Sequence, residues 1–331
     1  TATVDMDIGD DTSAAISRSM GLGLSGLTKA LDTLRPDIVL ILGDRFEAFA
    51  AVIAAVICRI PIAHLHGGES SEGAIDESFR HAITKMAQFH LTAANVFTHR
   101  VIQMGEDPAR VYTVGAPGLD HIKRTKMLSR EQLERDLDCF FSSPLFLATY
   151  HPVTTHREEA DNECRALMEA LDAFPESMIV FTGVNTDAGN HFIAEEIDRF
   201  IKANPKRARL FPSLGYQKYL SLLHIADIAI GNSSSGIIEA PACRTISINV
   251  GDRQKGRPRA ASVLDCDGNP EAIQAAIRTG LSDDFRNSAF LAKHPYGEGG
   301  ASERIKEILK NIFFDKTIIQ KHFYDISWQD K

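Results

Sequence analysis

The sequence has few cysteines and no long apolar run, and both absences exclude classes of protein. Only five of the 331 residues are cysteine and none forms a Cys-x-x-Cys pair, which argues against a disulfide framework or structural zinc. No apolar stretch approaches the ~20 residues needed to span a bilayer, and the opening residues lack a basic region followed by an apolar one. We therefore expect a cytoplasmic protein without a membrane anchor.

Positive charge is also in deficit. Lys and Arg number 36 against 44 Asp and Glu, a net charge of −8 that disfavours nucleic acid as a partner, so any phosphate site must be local. The hydrophobic share of 44% is typical of a folded globular protein. A chain of this length exceeds what one hydrophobic core usually serves, which favours two domains.

Short apolar runs alternate with longer amphipathic segments, the pattern of parallel strands joined by helices. This predicts an α/β fold with nine strands: Asp37–Leu42, Pro61–His64, Phe89–Ala93, Val111–Val114, Leu145–Ala148, Met178–Phe181, Ala208–Phe211, Ile225–Ile230 and Thr245–Asn249.

A charged, helix-forming stretch at Lys123–Asp138 separates two such series and marks a domain boundary. We expect an N-terminal Rossmann-like domain at 1–125, joined by a C-terminal helix at about 306–331. The last segment, Ala301–Tyr324, is predicted to form one or two helices. A second Rossmann-like domain should span 140–305. Since open parallel sheets bind ligands at the carboxyl ends of their strands, a central cleft between the domains is expected to hold the ligand.

Asp44 follows the first predicted strand, at the end where α/β proteins place functional groups. It is either a catalytic carboxylate or the N-cap of the next helix. The following motif holds His64, His66 and Glu69 in a glycine-rich loop. One histidine should be structural, and because the spacing fits no named zinc motif we expect no metal.

Asp76 and Arg80 lie four residues apart, so a helix beginning near Ile75 places them on one face, where an ion pair lowers the pKa of the carboxyl. The alternative is a solvated surface salt bridge. The adjoining His-Gly-Gly-Glu loop favours a functional role.

The second half has three motifs at predicted strand ends. His151 is placed to act as a general acid or base or to donate to a phosphate, unless it is an ordinary loop histidine. Gly231-Asn-Ser-Ser-Ser-Gly236 opens a helix whose free amides suit an anion, with Glu239 one turn on as a ribose acceptor; a plain capped helix is the alternative. Arg253 begins a loop with four basic residues, either a diphosphate clamp or solvated charge.

In this order the motifs resemble the UDP-N-acetylglucosamine 2-epimerase family, and its hydrolysing branch best. The resemblance runs from about Gly21 to the C-terminus and rests on Gly43-Asp-Arg-Phe-Glu, His64-Leu-His-Gly-Gly-Glu, Ile75-Asp-Glu-Ser-Phe-Arg-His-Ala-Ile-Thr-Lys, His151-Pro and Gly231-Asn-Ser-Ser-Ser-Gly. It implies a glycosyltransferase B-like fold, a dimer or tetramer, and a UDP-linked N-acetylated amino sugar as ligand, as in sialic acid biosynthesis.

The implied reaction converts UDP-N-acetylglucosamine and water to N-acetylmannosamine and UDP, by anti elimination to a 2-acetamidoglucal and then hydration, with no cofactor. Asp44, Asp76 and Arg80 match catalytic positions, and His151 matches a histidine near the diphosphate. The residues matching UDP contacts, taken with the glycine of the serine motif, are Ser233, Ser234, Gly236, Glu239 and Arg253.

Two departures from the family bear on activity. Many members have Glu where this chain has His66, and a neutral imidazole can serve as a base but not as a fixed anion. Either Glu69 compensates or the substrate differs, and we expect both His66 and Glu69 to be catalytic. The usual opening strand, with its Gly-Thr-Arg uridine loop and the helix and strand after it, has no counterpart, roughly one eighth of a typical chain. Without that part we expect poor folding and no activity.

The alternatives are the same reaction on UDP-2,4-diacetamido-2,4,6-trideoxyglucose, as in legionaminic acid synthesis, and a non-hydrolysing epimerase or glycosyltransferase of the same architecture. From another class, the chain would be a nucleotide-sugar binding protein without turnover.

Overall fold

The structure is a computed structural model that describes residues 1–7, 12–70, 75–151, 157–183, 190–312 and 317–326. Contacts divide the chain into two compact units. Unit 1 comprises Thr1–Pro117 and Gly300–Lys331, and unit 2 comprises Gly118–Gly299.

Ten strands are present among the described residues: β1 Val39–Leu42, β2 Ile62–Leu65, β3 Phe89–Thr92, β4 Val111–Thr113, β5 Leu145–Thr149, β6 Met178–Thr182, β7 Ala208–Phe211, β8 Ile228–Gly231, β9 Ile246–Val250 and β10 Val263–Cys266. Unit 1 has a sheet of order β1-β2-β3-β4, and unit 2 one of order β10-β9-β8-β5-β6-β7. Every pairing is parallel. The predicted α/β class with two parallel-sheet units is confirmed.

The helices are α1 Ser13–Leu34, α2 Phe46–Ile57, α3 Ile75–Met86, α4 Asn95–Gln103, α5 Gly118–Arg124, α6 Arg130–Leu137, α7 Arg157–Asp172, α8 Asn190–Ala203, α9 Gly215–Ile225, α10 Ser234–Ala242, α11 Pro270–Leu281, α12 Asp283–Ser288 and α13 Ala301–Lys310, with a 3-10 turn at Pro108–Arg110. Strand β10 is absent from the sequence prediction. It is a short edge strand with only one buried position and a charged Asp265, so it lacks the apolar run by which the others were found.

The charged segment before β5 belongs to unit 2, so this unit begins before the predicted residue 140. A capping box at Ser129 starts α6, which turns Leu133 fully into the core. There Leu133 joins Leu145 on β5 and Leu220 on α9, and Ile122 of α5 packs against the same cluster. The apolar positions of these helices therefore place them with the second sheet.

Each sheet is covered on both faces, as parallel strands require. All four positions of β2 are buried. Ile62 packs with Val52 of α2 on one face, while Ala63 and Leu65 pack with Ile305 of α13 on the other. Because polar groups cannot be placed on either buried face without a partner, the functional groups must lie at the strand ends.

The C-terminal helix is shorter than predicted. Helix α13 ends at Lys310, and residues 317–326 contain no helix, so the prediction of helix to Tyr324 and beyond is wrong there, while 313–316 and 327–331 lie outside the described residues. Instead, the backbone N–H of Tyr324 donates to Gly105 O at 3.0 Å. Lys321 Nζ donates to the carbonyls of Lys85 and Ala87 at 2.7 and 2.6 Å. Hydrogen bonds to Lys85, Ala87 and Gly105 in the rest of unit 1 thus replace the internal hydrogen bonds of a helix.

A buried carboxylate fixes this segment. Glu106 is 2% exposed and contacts Lys321 Nζ at 2.6 Å, Lys85 Nζ at 2.6 Å and His90 Nε2 at 2.8 Å. Burial by itself raises the pKa of Glu106, but the hydrogen bonds from His90, Lys321 and Lys85 outweigh it and lower the pKa to about 2. Burial lowers the pKa of His90, so the ring donates as a neutral imidazole.

Within the described part of the chain, no helix combines the length and apolarity that a membrane crossing requires. All five cysteines are free thiols. Burial raises the pKa of Cys164 and Cys243 to about 12, which keeps both protonated and unreactive.

Glu106→Gln is expected to lower the free energy of unfolding at pH 7 by about 2 kcal/mol, because it leaves buried donors without their anion. The folded-state pKa of about 2 lies below the ordinary 4.5, so the contribution of Glu106 is complete above pH 4.5 and is lost as the pH falls towards 2. Urea unfolding at pH 7 and pH 3 measures both effects.

Glu303→Gln is the matched control, since Glu303 forms an exposed ion pair with Lys306 at 3.5 Å. Its unfolding midpoint should stay close to that of the parent. If the two variants unfold alike at pH 7, the network of Glu106 does not stabilise unit 1.

Candidate functional site

A buried guanidinium links the end of β1 to helix α3 in unit 1. Arg80 on α3 is 3% exposed, and its Nη2 pairs with Asp44 in the loop after β1. Its Nη1 donates to Glu77 Oε2 at 3.0 Å. Glu77 also accepts from Ser70 Oγ and from His81 Nε2, both at 3.1 Å. The structure therefore brings Asp44 and Arg80 together, and Glu77 joins them.

Asp44 is not the cap of α2. The N-cap position is Arg45, which makes no side-chain capping bond, and the carboxylate of Asp44 is directed to Arg80. Asp76 lies half-buried in the first turn of α3, one turn before Arg80 on the same helix. The predicted helix start at Ile75 and the shared face of Asp76 and Arg80 are therefore present.

His64 is the structural histidine of the pair. It is fully buried, with Nε2 at 2.9 Å from Gly43 O and Nδ1 at 3.2 Å from Thr84 Oγ1. Since a carbonyl only accepts, Nε2 carries the proton and Nδ1 accepts from the Thr84 hydroxyl. Burial lowers the pKa of His64 to about 3, so the ring stays neutral. It fastens the end of β1, next to Asp44, to α3, which carries Arg80.

His66 faces a carboxylate instead. It lies directly after β2 with a left-handed backbone, φ 62°, and its Nδ1 is 2.5 Å from Glu69 Oε1. Glu69 is 3% exposed and His66 is partly exposed. Because the Glu69 carboxylate accepts a hydrogen bond from Nδ1, Nε2 is the ring nitrogen that can take up a further proton. The carboxylate then stabilises the charged ring. His66 and Glu69, which belong to one sequence motif, are therefore direct hydrogen-bond partners.

Among the described residues no three His, Cys, Asp or Glu side chains converge as metal ligands. His64 and His66 bond to different partners, as described above.

The ends of β5, β8 and β9 meet in unit 2. The N–H of His151 donates to Asn232 Oδ1 at 2.7 Å, and Arg253 Nη1 donates to Asn232 O at 3.0 Å. Gly231, with φ 134°, allows this approach, since a Cβ there would be 1.9 Å from Thr149 O. His151 and Arg253 are therefore held at the same sheet edge as the serine motif.

Ser233 is the N-cap of α10, and its Oγ accepts from Ser235 N at 3.3 Å. Ser234 begins the helix and is half-buried. Gly236 packs against the sheet, because a Cβ there would be 2.7 Å from Ser247 Oγ. Helix capping thus explains Ser233, and close packing explains Gly236, while the amide-rich helix start retains its capacity to hold an anion.

Glu239 lies one turn into α10 and is half-buried. Burial raises its pKa, while a hydrogen bond from Ser235 and the charge of Arg257 lower it in part. Ser235 Oγ is in turn 2.6 Å from Tyr219 Oη on α9. A carboxylate in this setting is a strong acceptor for hydroxyl donors.

Sequence reasoning missed several residues that contact the groups of these two sites: Glu77, Asn232, Tyr219, Ser235 and Arg257. Glu77 and Asn232 lie inside the sequence motifs, directly beside the predicted Asp76 and Ser233. Tyr219 carries no local signal, because only the packing of α9 on α10 brings it to Ser235.

Comparisons with known proteins agree on one family. The family model described as UDP-N-acetylglucosamine 2-epimerase matches residues 1–310. The "GDP/UDP-N,N'-diacetylbacillosamine 2-epimerase (hydrolyzing)" of Campylobacter jejuni is 37% identical over 98% of this chain and 84% of its own length. The "UDP-N-acetylglucosamine 2-epimerase" of Neisseria meningitidis serogroup B is 30% identical over 93% of this chain and 80% of its own length.

Among solved structures, UDP-GlcNAc 2-epimerase from Neisseria meningitidis bound to UDP-GlcNAc superposes with a TM-score of 0.80 at 20% identity. The match covers 92% of this chain and 84% of that one. At this identity the similarity shows the fold.

Glu239→Gln is expected to raise the melting temperature at pH 8 on the order of 2 °C, with little change at pH 4. Burial raises the folded-state pKa, so the folded protein holds this proton more tightly than the unfolded chain. Ionisation above the ordinary 4.5 therefore destabilises the fold, and glutamine removes that cost. Calorimetric melting across this pH range is the measurement.

Glu195→Gln, on an exposed position of α8 in the same unit, is the control and should not change melting at either pH. A Glu239→Gln protein that melts at the parent temperature at pH 8 would contradict a destabilising carboxylate.

Proposed function

The chain belongs to the UDP-N-acetylglucosamine 2-epimerase family, and from this we propose that it is a hydrolysing 2-epimerase of a UDP-linked 2-acetamido sugar. The products are UDP and the free sugar inverted at C2. The observation that carries the proposal is the buried Arg80, held by Asp44 and Glu77 on the unit that also holds the His66 and Glu69 pair. The name of the Campylobacter relative supports the hydrolysing reaction.

The reaction proceeds in two balanced steps. A base removes the C2 proton while the bond from C1 to the UDP oxygen breaks, which gives a 2-acetamidoglucal and UDP. Water then adds, its oxygen to C1 and a proton to C2 from the opposite face. The enzyme must supply acid and base groups for the sugar and positive charge for the leaving diphosphate.

In this proposal unit 1 supplies the proton transfers. His66 accepts at Nε2 because its Nδ1 faces Glu69 Oε1 at 2.5 Å, and Glu69 stabilises the imidazolium that results. Asp44 and Asp76 are the other acid and base groups. Arg80 holds the carboxylate of Asp44 in place, since a buried guanidinium fixes its partners in a planar geometry.

Unit 2 binds UDP. The helix start at Ser233 and Ser234 offers amides and hydroxyls to the diphosphate, and Arg253 and His151 add donors from neighbouring strand ends. Glu239 accepts from the ribose hydroxyls. The helix dipole and Arg253 stabilise the charge that UDP gains as it leaves.

The sugar is either UDP-N-acetylglucosamine or UDP-2,4-diacetamido-2,4,6-trideoxyglucose, which is UDP-N,N'-diacetylbacillosamine. Identity favours the second, with 37% to the relative named for that sugar against 30% to the one named for the first. Incubation with each nucleotide sugar, and with the GDP form of the second, followed by NMR, tests the choice.

Free 2-epimeric sugar with UDP or GDP is the expected product. Release of a UDP-linked epimer would indicate a non-hydrolysing epimerase, and sugar transfer to an acceptor would indicate a glycosyltransferase. Nucleotide binding without release from any of the three substrates would leave a binding protein.

Asp76→Asn is expected to lower kcat by about 100-fold while the Kd for UDP stays within about 3-fold, because it removes a proton-transfer group. Ser233→Ala should raise the Kd for UDP about 10-fold, because it removes a hydroxyl and the cap of the binding helix. Steady-state kinetics and calorimetric UDP titration give both values.

Ser282→Ala is the control for Ser233→Ala, since Ser282 caps α12 in the same way, accepting from Phe285 N at 3.4 Å. It should lose stability and keep its UDP affinity. Equal loss of turnover and UDP affinity in both Asp76→Asn and Ser233→Ala would overturn this division of roles.

A further inference from the structure

The side chain of Asn232 joins two strand ends of unit 2. It is fully buried, directly after β8 and before the helix cap Ser233. Its side chain spans the main chain of His151: Oδ1 accepts from His151 N–H at 2.7 Å, and Nδ2 donates to His151 O at 2.8 Å. One amide thereby satisfies both backbone groups of a residue that lies 81 positions away in the chain.

The backbone of Asn232 makes three further bonds. Its N–H donates to Thr149 O at 3.2 Å. Its carbonyl accepts from Arg253 Nη1 at 3.0 Å and from Gln254 Nε2 at 2.9 Å. Groups from the ends of β5 and β9 therefore converge on the residue that follows β8.

The sheet alone does not hold His151. The last paired residues of β5 and β8 are Thr149 and Gly231, so His151 lies beyond the ladder. A side-chain amide has one donor and one acceptor side, as a peptide group does, and continues the pairing past the last strand residue. Aspartate offers only acceptors when ionised, and alanine offers neither group.

We propose that Asn232 is a positioning residue that fixes His151 and Arg253 relative to the α10 helix start, so that all three groups meet the diphosphate together. The inference rests on the proposed function for its ligand, UDP. Asn232 does not itself contact the ligand; it affects binding by fixing the positions of His151 and Arg253 at the strand ends.

A purely structural role would lower the folded fraction and leave each folded molecule with normal affinity. A positioning role raises the Kd of the folded molecules. Calorimetric titration separates the two, because the stoichiometry reports the competent fraction and the Kd reports the site.

The first measurement uses the free protein. Hydrogen exchange at the His151 amide, followed by NMR, should accelerate at least about 10-fold in Asn232→Ala, because its acceptor is gone. Asn232→Asp keeps an acceptor and should retain most of the protection. An unchanged exchange rate in Asn232→Ala would show that Asn232 does not hold the His151 main chain, whether or not the protein binds UDP.

The second measurement is UDP binding. Asn232→Ala should raise the Kd about 10-fold at normal stoichiometry. Asn232→Asp should raise it at least as much, because the carboxylate cannot donate to His151 O and adds negative charge at an anion site. Thr245→Ala is the matched control: Thr245 is 1% exposed, and its Oγ1 donates to Leu223 O at 2.6 Å just before β9, at the opposite end of the strand.

Thr245→Ala should lose stability and keep its Kd. An Asn232→Ala protein with a Kd within about 2-fold of the parent would overturn the positioning role. A parent protein that does not bind UDP would instead defeat the proposed function, and the exchange experiment would still decide whether Asn232 holds His151.

Discussion

Parallel pairing is the constraint from which the site in each unit follows. Parallel strands place all their carboxyl ends at one edge, and their helices cover both faces, so a polar group has one place where it can remain accessible. In unit 1 this edge carries Asp44 and His66, and in unit 2 it carries His151 and the serine motif. The parallel topology alone therefore brings these residues to one edge of each sheet.

The polar groups near that edge are largely buried, so each of them needs a hydrogen-bond partner. Both units meet this need with residues that join the end of one strand to a neighbouring strand or helix. In unit 1 the neutral ring of His64 links Gly43 to Thr84, and the guanidinium of Arg80 links Asp44 to Glu77. In unit 2 the amide of Asn232 links His151 to the end of β8. Such residues hold the polar groups at the strand ends in defined positions.

The sequence alone predicted the α/β class, because nine of the ten strands in the described chain contain recognisable apolar runs, as the buried β2 and β5 do. It did not predict β10, whose edge position leaves it half-exposed. It also extended the last helix, since periodicity cannot show that Lys321 and Tyr324 donate to the carbonyls of Lys85 and Gly105, far away in the chain.

For the site, the residue types at the strand ends predicted which residues gather there, but the sequence did not predict which of them pair with one another. Spacing placed Asp76 and Arg80 on one helical face, yet Arg80 pairs with Asp44, 36 residues away, and with Glu77. Local sequence can suggest only partners within a turn or two of helix. A pair such as Tyr219 and Ser235 depends on how two helices pack, which no single segment encodes.

Glu239 shows why such a site costs stability in the free protein. Burial disfavours its charge, and the Ser235 hydroxyl and Arg257 offset that only in part, so its pKa stays raised. A ligand that donates hydroxyls to this carboxylate supplies the bonds that water would have given, and relieves the cost only when it is bound. In the proposed function, this unfavourable burial contributes to affinity for the ribose hydroxyls of UDP, since the gain exists only in the complex. A better solvated glutamate would stabilise the free protein more and would discriminate less between ligands with and without those hydroxyls.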